Sequence, residues 1–153
     1  AFVAIGNNRA RLEAARILSD HGFEFVTAIH ASSVCHRQEL IGLGSLVAAG
    51  AIIGPDASVG WHAIVNTAAS LDHDCVVGDG SHLGPGAVIA GSSEIGRGAS
   101  VGAGAVIVNR SRVGDFAVVG AGAVVLNDVP AGAVTAGVPA RLLREDQERT
   151  ASV

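Results

Sequence analysis

The segment "NTAASLDHDCVVGDGSHLG" carries the residues best suited to chemistry. His73 stands between Asp72 and Asp74, and His82 follows nine residues later. A neutral imidazole is a competent base near pH 7, and a carboxylate beside it holds the ring's tautomer and raises its basicity. The pattern suits removal of a proton from an amine or a hydroxyl. Little else in the chain is reactive. All ten basic residues are Arg, which excludes lysine chemistry such as phosphate-loop binding or Schiff-base formation. A net charge of −4 leaves no basic patch for nucleic acid. The two cysteines, Cys35 and Cys75, have neither metal-type spacing nor the density of a secreted disulfide framework. No apolar run approaches the roughly 18–20 residues of a membrane span. No signal-peptide pattern is present either, so a cytoplasmic location is expected.

A repeat must position these residues. From Ile41 to Val125 an aliphatic residue recurs every six positions, fifteen times without a gap. Two residues before each of them from Ile53 onward sits Ala, Ser or Cys. The residue after the aliphatic is Gly in nine of the fifteen, and Asn66 or Asp72 in two more. These are the types that accept a left-handed backbone at low cost, so tight turns are expected there. Each repeat then reads as a short strand and a turn, with one large and one small side chain inward and the residue between them outward. Three successive repeats close a triangular coil, and coils stack by parallel pairing into a β-helix. Residues 41–130 supply five full coils.

The flanks read differently. "AFVAI" and "FEFVTAIH" are expected as strands around a helix that Asn8 caps and that runs to Gly22, a short β-α-β piece from a partial α/β domain over residues 1–34. The β-helix proper is assigned to residues 35–130, with Pro130 and Pro139 ending the coils. Residues 131–153 are assigned to a C-terminal loop and tail, the polar end "EDQERTASV" being frayed.

On this solid His73 falls on a corner, two residues after inward Leu71. Its column, sampled at every third repeat, is Pro55, His73, Gly91, Asn109 and Asn127. His82 precedes inward Leu83 and points outward from the flat face opposite that corner, in the column Leu46, Ile64, His82, Ser100, Val118. With a prism roughly 13–17 Å through, the two histidines cannot meet on one substrate within a single chain. Apolar residues that face outward, Leu46, Ile64 and Val118 on one face and Ile52, Val88, Val106 and Val124 on the next, mark an interface. A closed trimer suits a three-sided rod, with sites between subunits.

The "DHDC…GD…SH" segment, with "AIGNNRARLEAARILSDHGFEFVTAIH" before it and "AGVPARLLRE" after, resembles the hexapeptide-repeat sugar acetyltransferases of the sialic acid O-acetyltransferase and UDP-4-amino-sugar N-acetyltransferase type. The resemblance spans essentially the whole chain and implies a left-handed parallel β-helix that uses acetyl-CoA, with no metal, to acetylate an amine or a hydroxyl of a nucleotide-linked sugar. By resemblance His73 is the general base, Asp74 orients it, and His82 lines the site. The Gly91 amide, already in the His73 column, faces the thioester oxygen. Asn109 and Arg141 are expected on the acetyl-CoA side, Arg141 as a phosphate contact. Asn66, Asn7 and Arg9 are expected to line the acceptor pocket, with Asn8 beside them explained equally well as a helix cap. Family members begin with a Gly-rich β-α-β segment that helps bind the UDP-sugar, and this sequence starts at its later half. Two rival readings remain. A zinc enzyme on the same fold needs histidines one coil apart, and neither His73 nor His82 has one. The other is a non-catalytic scaffold or an inactive fragment of such an enzyme.

Overall fold

The structure is a computed structural model that describes residues 1–145. One helix, α1 (Asn8–Asp20), is followed by a three-sided parallel solenoid of about six turns. Its strands up to Val124–Val125 are two residues long, the two that follow are four and five, and they stack into sheets of eight, six and four strands. The eight-stranded sheet starts at Ala28–Ile29 and passes through Leu46–Val47, Ile64–Val65, His82–Leu83, Ser100–Val101 and Val118–Val119. The six-stranded sheet runs from Val34–Cys35 to Val124–Val125, and the four-stranded one from Ser58–Val59 to Arg112–Val113. Partners along each column are three repeats apart, as in Ile64↔His82 and His82↔Ser100. The architecture is the three-sided β-helix expected from the repeat, of the left-handed kind that the resemblance implies.

The core is the stack of inward aliphatic and small residues. Val47, Ile53, Val65, Leu83, Ile89 and Ile107 are fully buried, with Ala51, Ala63, Cys75, Ala87 and Ala105 beside them. Each buried Val, Ile or Leu contributes about 1.5–3 kcal/mol relative to an exposed one. The thin, regular layers follow from the near absence of aromatic residues.

The solenoid is longer than the six-residue series suggests at both ends. Ala28–Ile29 pairs with Leu46–Val47, and Val34–Cys35 with Ile52–Ile53. "FEFVTAIH" therefore contributes the first rung of the β-helix rather than a strand of a separate α/β unit. "AFVAI" forms no strand, although the Ala1 carbonyl accepts from the Val26 N–H. Past Pro130 the coil continues. Val118 pairs with Val134, a step shorter than three full repeats, because Val129 takes the inward place ahead of the six-residue period set by Val125. Arg141–Glu145 then adds an antiparallel strand on Ala133–Ala136, where a loop was expected. The frayed-tail expectation falls on residues 146–153, outside the described residues.

The turns also correct the reading of the glycines. The left-handed residue is three after the aliphatic, at Gly44, Asp56, His62, Asp74, Gly80, Gly98 and Phe116 among others. The glycine directly after the aliphatic serves close stacking instead. A Cβ on Gly78 would lie 2.6 Å from the Arg97 backbone nitrogen of the next coil, far inside van der Waals contact.

Candidate active site

The corner at residues 72–75 is built from its own acids. The Asp72 Oδ1 accepts from the N–H of the next residue, His73, at 2.8 Å. Asp74 takes the left-handed place at φ +58°, and its N–H donates to Pro55 one coil below at 3.0 Å. The same residue places its carboxylate Oδ2 2.8 Å from His73 Nδ1. A carboxylate only accepts, so Nδ1 carries the proton and Nε2 presents its lone pair. The pKa of His73 is raised, first by the hydrogen bond to Asp74 and then by the charge of Asp72. Asp74 is thus turn former and ring partner at once, because the corner geometry aims its carboxylate along the imidazole.

Nε2 lies over the next coil. A Cβ built on Gly91 would stand 2.6 Å from His73 Nε2 and 2.8 Å from Cε1, so only glycine leaves room for the ring. The Ser92 N–H donates to the His73 carbonyl at 2.9 Å and the Arg110 N–H to the Gly91 carbonyl at 3.0 Å, fixing the stack. The Gly91 N–H has no acceptor among the described residues, as at other corner positions such as Asn109. An open groove of about 380 Å³ follows the six-stranded sheet from Val34 and His36 past Ile52 and Pro55 to Asp72 and Val88, reaching the His73 corner.

A second pair lies on another face. His82 points outward from the eight-stranded sheet, half-buried, with Nε2 3.1 Å from Asn66 Nδ2. Its pKa is lowered, mainly by burial and further by the Arg11 charge. The structure thus gathers His73, Asp74 and Gly91 at one corner, with Asn109 one coil beyond, and joins His82 to Asn66 elsewhere. The remaining expected residues stand apart. Asn7, not Asn8, caps α1, its Oδ1 accepting from the Ala10 N–H at 3.0 Å. The Arg9 guanidinium lies 4.3 Å from the Phe116 ring centroid. Arg141 is exposed on the last strand and donates to the Ala140 carbonyl.

Sequence reasoning missed what α1 does. Asn8 and Arg11 are both buried against the coils. Their spacing of three, with buried Ala15 a further turn on, is the helical signal that puts a polar pair on the packed face.

The chain is similar over its length to known proteins of this fold. The family described as "Bacterial transferase hexapeptide (six repeats)" matches residues 74–109. The PerB structure from Caulobacter crescentus, in complex with CoA and GDP-perosamine, is 43% identical with a TM-score of 0.89, and the match covers 92% of this chain and 68% of that one. The acetyltransferase domain of PglB from Neisseria gonorrhoeae, in complex with acetyl coenzyme A, is 37% identical with a TM-score of 0.90, covering 93% and 69%. WeeI from Acinetobacter baumannii is 31% identical with a TM-score of 0.84, over 93% and 69%. With the coils, the corner histidine and identities of this size over nine-tenths of its length, the chain belongs to the left-handed β-helix, hexapeptide-repeat sugar acetyltransferases.

Proposed function

We propose that the chain transfers an acetyl group directly from acetyl-CoA to the amine of a nucleotide-linked sugar, with His73 as general base. The observation that carries this reading is the free Nε2 of an imidazole oriented by Asp74 and aimed over the backbone of Gly91. As the acceptor nitrogen attacks the thioester carbonyl, His73 Nε2 takes a proton from it. The new C–N bond forms, the C–S bond breaks, and the imidazolium returns the proton to the leaving sulfur. A positioned base is worth about 10²–10⁴-fold in rate. The Gly91 N–H, unspent among the described residues, stabilises the developing oxyanion, a contribution of about 10²–10³-fold.

Several observations support the remaining parts. An amine is favoured over a hydroxyl because a protein 42% identical to this chain is a GDP-perosamine N-acetyltransferase. Acetyl-CoA is favoured by the CoA and acetyl coenzyme A complexes of the similar structures. Ile52, Val88 and Val118 are 48%, 41% and 39% exposed, and burying them against neighbouring copies favours a homotrimer with sites between subunits. In that assembly Asn66 and His82 line the acceptor side contributed by one copy, Asn109 follows the His73 column on the acetyl-CoA side, and Arg141 meets a CoA phosphate. Among the described residues no helix is long and apolar enough to cross a membrane; with acetyl-CoA as cosubstrate, we place the chain in the cytoplasm.

Calorimetric titration of acetyl-CoA, followed by thiol release with GDP- and UDP-linked amino sugars, tests the reading. Saturable binding in a trimer and turnover abolished by His73→Ala are expected. Turnover that survives His73→Ala, or a folded trimer that binds no acetyl-CoA, overturns it.

A further inference from the structure

Arg11 is a full cation with 1% exposure whose hydrogen bonds go to neutral acceptors. Nε donates to the His62 carbonyl at 2.8 Å, Nη1 to Ile5 and Gly6, and Nη2 to the carbonyls of Gly80 at 2.8 Å and Ser81 at 3.2 Å. Nη2 also meets Asn8 Oδ1 at 2.8 Å. Burial holds its pKa down to about 10, so it stays charged at neutral pH. A buried cation without a carboxylate is a costly way to pin a helix, and its targets are specific. The Ser81 carbonyl belongs to the peptide bond that leads into His82. Asn8, aligned by Arg11, donates to Ser100 Oγ at 2.9 Å, and Ser100 is the register partner stacked on His82.

The other side of the ring is fixed as well. The Thr67 N–H donates to Asn66 Oδ1 at 2.8 Å, which settles the amide's orientation, since two donors cannot face each other. Asn66 Nδ2 therefore donates to His82 Nε2, and the ring proton sits on Nδ1. Arg11 is the charged group that bears on His82 from α1, and its charge, like burial, opposes a second proton. Asn66 and Ser100, from the coils on either side, are neutral.

We propose that Arg11 is a positioning residue for His82: it grips the Ser81–His82 peptide and the Asn8–Ser100 link, so that His82, with Nε2 capped by Asn66, offers the acceptor sugar a fixed Nδ1–H donor and does not serve as a second base. The proposal rests on the acetyl-transfer reading for its acceptor, but the state of the ring is measurable without it. In the full chain labelled with ¹⁵N-histidine, His82 resonances (assigned with His82→Gln) should report the Nδ1–H tautomer and a titration below that of an ordinary histidine. Arg11→Met removes charge and donors at similar volume. It should raise that titration toward the ordinary value and lower kcat/KM for the acceptor by about 10–100-fold, the effect of misplacing a contact by about 1 Å, with KM for acetyl-CoA unchanged. A folded Arg11→Met chain with the wild-type His82 spectrum and acceptor kinetics overturns the proposal, as does an Nε2–H tautomer in the wild type. If Arg11→Met does not fold, Asn8→Ala decides. It removes the acceptor that aims Nη2 and the bond to Ser100, and native acceptor kinetics there overturns the idea equally. A wild-type chain without turnover on any amino sugar defeats the acetyl-transfer reading, whereas the nitrogen spectra test Arg11 independently.

Discussion

Gly91→Ala separates the site from the scaffold. The added methyl would stand 2.6 Å from His73 Nε2, 2.8 Å from Cε1 and 3.1 Å from Cδ2. Ordinary carbon contacts lie near 3.5–4.0 Å, so the ring must retreat by about 1 Å or swing off the corner. The ring is exposed and can move without disturbing the core, and Gly91 is not among the positive-φ residues, so alanine strains no backbone. The displacement instead pulls Nδ1 from its 2.8 Å bond to Asp74 and moves Nε2 off the thioester position. A 1 Å misplacement costs about 10²-fold, or about 2.7 kcal/mol of transition-state stabilisation. The assay is kcat and kcat/KM by thiol release, beside thermal unfolding of the same preparation. A loss near 100-fold with an unchanged Tm is expected. Wild-type kcat in Gly91→Ala would refute the claim that Nε2 acts from over Gly91. A large drop in Tm would refute the claim that only the ring occupies that space.

Gly78→Ala should behave oppositely, because its methyl meets the Arg97 backbone nitrogen at 2.6 Å and backbone cannot yield. Overpacking of about 1–3 kcal/mol should lower Tm by several degrees at about 2–8 °C per kcal/mol, read by calorimetry. Asp74→Asn keeps a residue that tolerates the left-handed place but removes the chief cause of the raised His73 pKa. The acid limb of the pH–rate profile, set by deprotonation of the base, should move to lower pH while the plateau falls. Stability should itself depend on pH through His62, which burial holds below the ordinary histidine value, with Nδ1 buried and unpartnered among the described residues. The unfolded chain binds this proton more readily, so stability is present above about pH 6.5 and is lost as pH falls below it. His62→Phe should flatten the fall of Tm between about pH 6.5 and 5. Ile52→Asp places a charge on the apolar six-stranded face and, if that face packs in the proposed trimer, should leave the chain monomeric in light scattering where the wild type is trimeric.

The sequence by itself determined the solenoid, the inward columns and the corner that His73 shares with Gly91. Those features depend on a fixed period, and in a stacked coil an offset of three repeats is a spatial contact. Even the unrecognised first rungs were present in it. Ile29 and Cys35 continue the six-residue series below Ile41, but Glu39 occupies a small-residue slot where Gln38–Leu40 turns into a 3₁₀ helix, and the series looks broken there. What the tertiary structure alone decided is whatever does not follow the period. Where glycine follows the aliphatic, it is required by close approach of the next coil rather than by its own φ, a distinction that composition does not carry. The last coil is shortened because Val129 fills the inward place early. Above all, Arg11 reaches carbonyls at His62, Gly80 and Ser81, all far from it along the chain. Contacts of that separation exist only once the helix has docked on the coils, since no local rule links a helical arginine to the peptide bond that carries His82.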